Sequence, residues 1–294
     1  MDLQPYLRRR QQEVERYLER CIPSGSERLI EAMRYSLLSG GKRLRPILAL
    51  AACDAVKGRT ATVMPFACAV ELVHTYSLIH DDLPAMDDDE LRRGKPTNHV
   101  VYGVALAILA GDALLTEAFR MMADAALRTK VDRQRVLQVI ADIGAAAGAR
   151  GMVAGQAADM AAENRSVDLP TVELIHVRKT GALIRAAVRT GAILGGADAR
   201  QLRALTRYAD CIGLAFQVAD DILDAEATTA TTGKALGRDQ VRCKATFPAV
   251  LGLSAAKERA SDLLRQAHRA LRPFGPEADA LREIGNFIVG RAVG

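Results

Sequence analysis

The chain has 294 residues, of which 49% are hydrophobic, only 4% are aromatic and none is Trp. This composition favours helices over strands, because aromatic and β-branched residues are the ones enriched in sheets. The net charge of +5 is spread over 40 basic and 35 acidic residues, and the basic clusters lack interleaved aromatic residues, which argues against nucleic acid as a partner. The five Cys show no CxxC spacing, which argues against a disulfide framework or a thiolate zinc site and indicates a reducing, cytoplasmic location.

No linker rich in Pro, Gly or Ser divides the chain, so the sequence predicts one all-α domain over residues 1–294. The first 20 residues are charged throughout and lack the apolar core of a signal peptide. The apolar run at 100–110 is shorter than the roughly 20 residues that a membrane span needs. We therefore expect no stable membrane insertion.

Capping and helix-breaking residues predict where the first helices begin and end. The stretch 24–27, Ser-Gly-Ser-Glu, fits a capping box, and Gly40-Gly41 suits a helix end. The next helix is predicted to begin at Pro46, after the basic residues Lys42, Arg43 and Arg45. Cations oppose the dipole at a helix start, so this placement suits a bound anion, although a solvated basic loop is the alternative.

A long helix is predicted from Pro65 to a first acidic cluster that contains Asp81, Asp82 and Asp87. His74 precedes Asp81 by seven residues, nearly two turns, and so shares its face. Pro84 cannot continue a regular helix, so Asp87 can approach Asp81 only if the chain bulges. The other four His residues, His80, His99, His176 and His268, are given no role.

A second acidic cluster repeats on one helix face, where Phe216, Asp220 and Asp224 stand four residues apart, with Gln217 and Asp221 on the neighbouring stripe. The tract 225–232, rich in Ala and Thr, is predicted to be a loop suited to act as a lid.

Grouped carboxylates repel one another, so clusters of this kind need compensating cations unless they are simply solvated helix ends. Oxygen ligands without His or Cys favour hard cations, and Mg²⁺ commonly binds through a few carboxylates together with substrate phosphates. The sequence therefore predicts Mg²⁺ sites beside phosphate. Five basic residues can supply charge for two phosphorylated groups: Lys42, Arg45, Arg92, Arg93 and Lys234.

Four motifs carry a family resemblance: GGKRLRP at 40–46, LIHDDLPAMDDDELRRGKPTNH at 78–99, KTG at 179–181 and FQVADDILD at 216–224. In order and spacing they resemble the trans-isoprenyl diphosphate synthase family, over about residues 25 to 255. The resemblance implies a single polyprenyl synthase domain, a helical bundle around a deep central cavity, and a homodimer. It also implies condensation of isopentenyl diphosphate with allylic diphosphates.

The resemblance also implies roles for individual residues. About three Mg²⁺ ions would bind to Asp81, Asp82, Asp87, Asp220, Asp221 and Asp224. The allylic diphosphate would be held by Arg92, Lys179 and Lys234, and isopentenyl diphosphate by Lys42, Arg45, His74 and Arg93. Thr180, Gln217 and the backbone carbonyl dipoles near Lys179 would face the allylic cation. The end of the chain departs from the family, because 286–294 holds Arg291 as its single charged residue where relatives often carry several basic ones.

Product length is predicted from Tyr76 and Ser77, which stand about one helical turn before Asp81. An aromatic ring there would stop elongation at farnesyl diphosphate, whereas a geranylgeranyl or geranyl product is the alternative. A class I terpene cyclase is a rival enzyme, but it needs only one diphosphate pocket. A regulatory subunit without activity is the non-enzymatic rival, and intact acidic clusters argue against it.

Overall fold

The structure, a computed structural model, describes residues 1–163, 165, 167–226 and 246–293. Within these ranges the chain is helical apart from one two-stranded hairpin, which confirms the all-α prediction. The helices, in chain order, are α1 (Leu3–Cys21), α2 (Arg28–Leu37), α3 (Leu44–Ala55), α4 (Thr60–Asp81), α5 (Asn98–Tyr102), α6 (Val104–Arg128), α7 (Arg133–Ala147), α8 (Met152–Ala162), α9 (Leu169–His176), α10 (Ala182–Gly195), α11 (Ala199–Glu226), α12 (Phe247–Leu251), α13 (Leu253–Ala270) and α14 (Asp279–Val293).

Three short elements complete the described chain. A π-helical segment, Val177–Gly181, joins α9 to α10, and a 3₁₀ turn, Pro276–Ala278, precedes α14. The antiparallel strands β1 (Leu91–Arg92) and β2 (Lys95–Pro96) form the hairpin after α4.

Three predicted helix starts differ from the structure. The capping box at Ser24 is wrong, because α2 begins at Arg28 and Glu27 is its extended N-cap residue. The helix expected at Pro46 begins two residues earlier, at Leu44. The long helix expected at Pro65 begins at Thr60, with Pro65 inside it. A proline in the second turn still lies close enough to the helix start that it removes only one early backbone bond.

The hydrophobic core has two parts that share α3 and α10. One face of α3, including Ala49, Leu50 and Cys53, packs with α1, α2, α4, α6 and α7. The opposite face, including Ile47 and Leu48, packs with α11, α12, α13 and α14. Helix α3 is therefore buried on both sides, which explains why nearly all of its residues are apolar.

Two helical stretches are long and apolar enough to cross a membrane by length and composition. They are Thr60–Asp81, which is α4, and Arg133–Ala162, which contains α7 and α8; sequence reasoning considered only the run at 100–110. The apolar window of α4 is 72% buried inside the fold, as in the core helix of a globular protein, and that of the second stretch is 39% buried. Membrane insertion thus stays a matter of prediction.

Close packing of α3 against α10 depends on Gly191. A Cβ atom at this position would lie 1.8 Å from the carbonyl oxygen of Ala49, and backbone cannot move aside as a side chain can. By contrast, a Cβ on Gly290 in α14 would meet nothing within 4 Å.

We expect Gly191→Ala to separate α3 from α10 and to reduce the free energy of unfolding by about 1–3 kcal/mol or more, the usual cost of overpacking. Gly290→Ala is the matched control and should be neutral or stabilising by up to about 1 kcal/mol, since Ala favours helix over Gly. Urea unfolding of both variants checks this expectation. Equal stability of the two would contradict the close approach at Gly191.

Candidate active site

The first acidic cluster lies where α4 ends. Asp81 is the last residue of α4, and the following backbone folds back on it. The Asp87 N–H donates to the Asp81 carbonyl oxygen at 2.8 Å, and the Asp89 N–H donates to that of Asp82 at 3.2 Å. Asp88 has a positive φ of 48° in this turn. The chain therefore bulges, as the sequence requires if Asp87 is to return to Asp81.

Two basic side chains and one amide contact the carboxylates of Asp81 and Asp82. The Asp81 carboxylate accepts a hydrogen bond from Gln156 at 3.2 Å and lies 3.5 Å from the Lys179 ammonium. The buried Asp82 carboxylate is gripped by the Arg92 guanidinium, with Nε 2.8 and 2.9 Å from its two oxygens. Burial raises the pKa of Asp82, and Arg92 opposes this shift. These contacts compensate the acidic cluster within the protein itself.

The hairpin that carries Arg92 also places Arg93 against the loop before α3. Arg93 has a positive φ of 54° and donates a hydrogen bond to the Gly40 carbonyl oxygen. A Cβ on Gly41 would lie 2.6 Å from Arg93 Nη1, so a side chain at position 41 would displace the guanidinium. Arg92 thus faces the acidic cluster, whereas Arg93 faces the basic loop.

Of the basic residues in that loop, Arg43 turns into the core. Its guanidinium donates to Glu71 at 3.0 Å and to the Leu37 carbonyl oxygen at 2.7 Å, and its side chain is 1% exposed. The backbone at Arg43 is left-handed, with φ 49°. The expectation that all three basic side chains face an anion is therefore wrong for Arg43, because Glu71 binds it. The remaining basic residues of this stretch are Lys42, which is exposed, and Arg45, which is partly buried.

A second group of basic residues surrounds the start of α3: Arg45 and Arg93 act on His74, and Lys42 and Arg45 act on Asp220. Burial lowers the pKa of Arg45 to about 10, and its Nε is buried without a hydrogen-bond partner. Burial and the nearby guanidinium groups of Arg45 and Arg93 hold the pKa of His74 well below its usual value. Mutual repulsion of this kind would be relieved by a bound anion.

The second acidic cluster lies on α11, with its members facing different groups. Burial raises the pKa of Asp220 to about 6, with Asp221 acting in the same direction, while Arg291 and Lys42 favour its charged form. The buried Asp221 carboxylate accepts from the Phe247 N–H at 2.9 Å and lies 3.2 Å from His176 Nε2. Asp224 lies one turn further along α11 and is partly exposed.

Arg291, on α14, favours the charged form of Asp220. It is the single charged residue in 286–294, where the sequence departs from the family. Lys234 and most of the proposed lid, from 227 onward, lie outside the described residues. Ala225 and Glu226 belong to α11 rather than to a loop.

The π-helical segment carries Lys179 and Thr180. The Lys179 ammonium donates to Asp159 at 2.7 Å and faces Asp81; burial opposes its charge, but these carboxylates raise the pKa of Lys179 above its ordinary value. Thr180 is buried. A Cβ on Gly155 of α8 would lie 2.2 Å from the Lys179 backbone nitrogen, so this glycine permits the close approach of the segment.

Tyr76 and Ser77 occupy the buried side of α4. Tyr76 is 6% exposed, and its ring meets the His80 ring edge-on at a centroid distance of 5.7 Å. The Ser77 hydroxyl donates to the His74 carbonyl oxygen at 2.8 Å. The role of both residues in product length stays a prediction.

The donor chemistry of this site suits Mg²⁺. Among the described residues, no group of three or more His, Cys, Asp or Glu side chains converges closely enough to hold a metal ion by itself. Mg²⁺ characteristically takes only one or two carboxylates and completes its shell with phosphate oxygens and water. The carboxylate oxygens of Asp81 and Asp220 are donors of the kind that such an ion takes.

Residues 26–277 match the family model for polyprenyl synthetase. The fold is that of an all-α prenyltransferase, and the chain belongs to the polyprenyl synthetase family. It is 47% identical to a farnesyl diphosphate synthase of Geobacillus stearothermophilus, over 99% of this chain and 98% of the relative.

The chain is also similar to two further proteins. The chain is 44% identical to the chloroplastic heterodimeric geranylgeranyl pyrophosphate synthase large subunit 1 of Arabidopsis thaliana, over 99% of this chain and 80% of the relative. A crystal structure of an FPP/GFPP synthase from Zymomonas mobilis superimposes with a TM-score of 0.87 at 40% identity, covering 98% of each chain.

Among the described residues, sequence reasoning missed Gln156 and Asp159 on α8 and His176 at the end of α9, which contact predicted site residues. It also missed Glu71 on α4, the partner of Arg43. Gln156 and Asp159 stand three residues apart, the spacing of one helix face, and Gln156 directly follows Gly155. That pattern is a usable signal. Glu71, an acidic residue in an otherwise apolar helix, is another, because buried carboxylates need a partner.

We expect Asp220→Asn to stabilise the metal-free protein in a pH-dependent way. The pKa of Asp220 rises from an ordinary 3.8 to about 6 in the fold, so its charge costs stability as the pH rises from about 4 through 6 and above. The variant carries no such charge. Its melting temperature should exceed that of the parent by a few degrees at pH 7.5 and by much less at pH 4.5.

Differential scanning fluorimetry in chelator, at both pH values, measures this difference. An advantage that does not grow with pH, or a loss at pH 7.5, would contradict the cost assigned to the Asp220 charge.

Proposed function

We propose that this prenyltransferase condenses isopentenyl diphosphate with dimethylallyl diphosphate and then geranyl diphosphate, giving farnesyl diphosphate and pyrophosphate in a Mg²⁺-dependent reaction. The observation that carries this proposal is the presence of acidic clusters at the end of α4 and on α11 together with separate basic residues, of which Arg45 and Arg93 act on His74. We place a cationic pocket at Lys42, Arg45 and His74. Two diphosphates of different kinds need two such places. The name of the Geobacillus relative, farnesyl diphosphate synthase, supports the same reaction.

The cationic pocket is assigned to isopentenyl diphosphate. Arg45 on α3, His74 on α4 and Arg93 on the hairpin turn act electrostatically on one another. Lys42, in the loop before α3, acts together with Arg45 on Asp220. Arginine and lysine bind phosphate directly, without metal. A diphosphate here would also satisfy the buried Nε of Arg45.

The allylic diphosphate is assigned to the space between the acidic clusters, where Arg92, Lys179 and Lys234 would hold it. Arg92 and Lys179 contact Asp82 and Asp81 in this structure. Both cations must exchange part of these contacts for phosphate oxygens when the ligand binds. Bound Mg²⁺, proposed at about three ions on the six aspartates, would supply positive charge to the leaving diphosphate.

The proposed reaction begins when the C–O bond of the allylic diphosphate breaks and its electron pair leaves with pyrophosphate. The double bond of isopentenyl diphosphate then attacks the allylic carbon. A proton is lost from the new cation, with pyrophosphate as the proposed acceptor. Arg92 and Lys179 hold the leaving group, while Thr180 and Gln217 turn oxygen dipoles toward the cation.

Three alternative readings remain testable. A geranylgeranyl product is supported by relatives such as the Arabidopsis large subunit, whose name states that product. A terpene cyclase would use one diphosphate pocket and leave the Lys42 pocket without a purpose. An inactive regulatory subunit would not need the intact set of aspartates that this chain carries.

We also propose that residues 1–294 form one domain, because α3 and α10 pack in both parts of the core, and that the enzyme is a cytoplasmic homodimer. A row of exposed apolar side chains on α5 and α6 supports self-association: Val100, Val101, Val104, Ile108 and Leu109 are 40–53% exposed. Contiguous apolar surface of this kind marks protein interfaces. Light scattering would report the mass.

Product analysis tests the proposed function. The protein with Mg²⁺, radiolabelled isopentenyl diphosphate and dimethylallyl or geranyl diphosphate should yield farnesyl diphosphate, and chelator should stop the reaction. Farnesyl diphosphate supplied alone should remain intact; its conversion to a hydrocarbon or alcohol would identify a cyclase instead. No product under any condition would favour the regulatory reading.

We expect Lys42→Ala and Arg45→Ala to raise the KM for isopentenyl diphosphate by about 10- to 100-fold, the loss of one charged hydrogen bond. The KM for geranyl diphosphate should change much less, because that ligand occupies the other pocket. Steady-state kinetics with each substrate varied in turn measures the difference. Arg16→Ala, on the exposed face of α1, is the matched control. Equal effects on both substrates would show that the pockets are merged or exchanged.

We expect Tyr76→Ala to shift the product from C15 toward C20 and longer, because removal of the ring opens space one turn below Asp81. Tyr76→Phe keeps the ring and should keep the C15 product. Chromatography of the dephosphorylated products measures chain length. The first condensation should proceed in both variants. An unchanged C15 product from Tyr76→Ala would place the floor of the pocket elsewhere.

A further inference from the structure

His176 lies at the end of α9, directly before the π-helical segment, and is 8% exposed. Its Nε2 is 3.2 Å from the Asp221 Oδ2, and its Nδ1 is 3.3 Å from the Gln217 Nε2. Its ring stacks on the Phe247 ring, with centroids 5.5 Å apart and planes inclined by 14°. One buried imidazole thus contacts α11 through both nitrogens and α12 through its face.

These partners define the hydrogen-bond directions. An amide nitrogen only donates, so Nδ1 of His176 must accept from Gln217. The proton of the neutral ring then lies on Nε2, which donates to Asp221. The same carboxylate oxygen accepts the Phe247 N–H at 2.9 Å. Gln217 consequently has its amide nitrogen directed to His176, which frees its oxygen for another partner.

His176 and Lys179 are close in sequence but contact different acidic clusters. Lys179 follows three residues later and contacts Asp81 and Asp159, whereas His176 contacts Asp221. The segment from 176 to 181 is therefore fixed to the second acidic cluster at its beginning and to the first cluster at its middle. The π-helical turn between these contacts departs from regular helix, and such turns are frequent at functional sites.

We propose that His176 is a positioning residue that sets the orientation of Gln217 and Asp221 and holds the π-helical segment, with Lys179 and Thr180, in register with α11. This inference rests on the proposed function. Space filling alone does not account for the arrangement, since a ring without polar atoms would stack on Phe247 equally well. The two ring nitrogens instead bind two residues of the second acidic face.

Three variants separate these contacts. His176→Phe keeps the stacked ring and removes both hydrogen bonds. His176→Gln can place an amide nitrogen near the position of Nε2 and keep the bond to Asp221, whereas His176→Asn can place an oxygen near Nδ1 and accept from Gln217. His268→Phe is the control, because His268 lies on α13 and its Nε2 has no hydrogen-bond partner.

We expect His176→Phe to lower kcat by at least about 30-fold, within the range found when outer residues of a site are lost. The KM for isopentenyl diphosphate should change by less than about threefold, because its pocket lies on other elements. His176→Gln or His176→Asn should recover at least about tenfold of that loss. His268→Phe should retain the parent kcat. Melting temperatures of all four variants establish how much of each is folded.

A second readout is independent of turnover. The chain has only five His residues, so ¹⁵N spectra of histidine-labelled protein without ligand can be assigned by substitution. They should show His176 as the neutral Nε2–H tautomer, and Gln217→Leu should alter its Nδ1 signal. A Nδ1–H tautomer would overturn the proposal.

The kinetic outcomes distinguish a failure of the His176 role from a failure of the proposed function. An active parent whose His176→Phe variant keeps kcat within threefold, or loses activity only in proportion to its unfolded fraction, would overturn the positioning role. A parent that makes no prenyl product would instead overturn the proposed function. In that case the tautomer measurement still tests the hydrogen-bond network by itself.

Discussion

Repulsion between carboxylates is the constraint on which this site depends. Two like charges about 5 Å apart repel by roughly 3 kcal/mol at an effective dielectric constant of 20, and the site gathers aspartates from two helices. The fold compensates them with its own cations. Arg92 grips Asp82, and Lys179 stands between Asp81 and Asp159. Arg291, Lys42 and Arg45 favour the charged form of Asp220, but burial outweighs them and raises its pKa to about 6.

This arrangement makes ligand binding an exchange of partners. Arg92 and Lys179 neutralise carboxylates in this structure, and the same groups would face phosphate when metal neutralises those carboxylates. The cationic pocket shows the opposite imbalance, since burial, together with the charges of Arg45 and Arg93, depresses the pKa of His74. The acidic clusters thus carry repulsion between negative charges that bound metal would relieve, and the cationic pocket carries repulsion between positive charges that a bound diphosphate would relieve. Stability sacrificed at a functional site in this way is common.

The sequence predicted the all-α class and the two acidic clusters, because composition and residue spacing are local properties of the chain. It also required the bulge that returns Asp87 to Asp81, since Pro84 blocks a regular helix. It could not predict that Arg43 turns inward, because its partner Glu71 stands 28 residues away. The contacts of His176 with Asp221 depend likewise on how α9 packs against α11. Helix starts were misplaced where a local signal, such as Ser24 or Pro65, had no tertiary support.

The most direct test of the account is calorimetric binding of inorganic pyrophosphate with and without Mg²⁺. If the aspartates accept metal together with diphosphate, Mg²⁺ should tighten pyrophosphate binding by at least about tenfold, and pyrophosphate should tighten Mg²⁺ binding equally. A variant with both Asp81→Asn and Asp220→Asn should lose this coupling while still binding anions at its basic residues. Pyrophosphate binding of equal strength with and without Mg²⁺ in the parent protein would contradict the account.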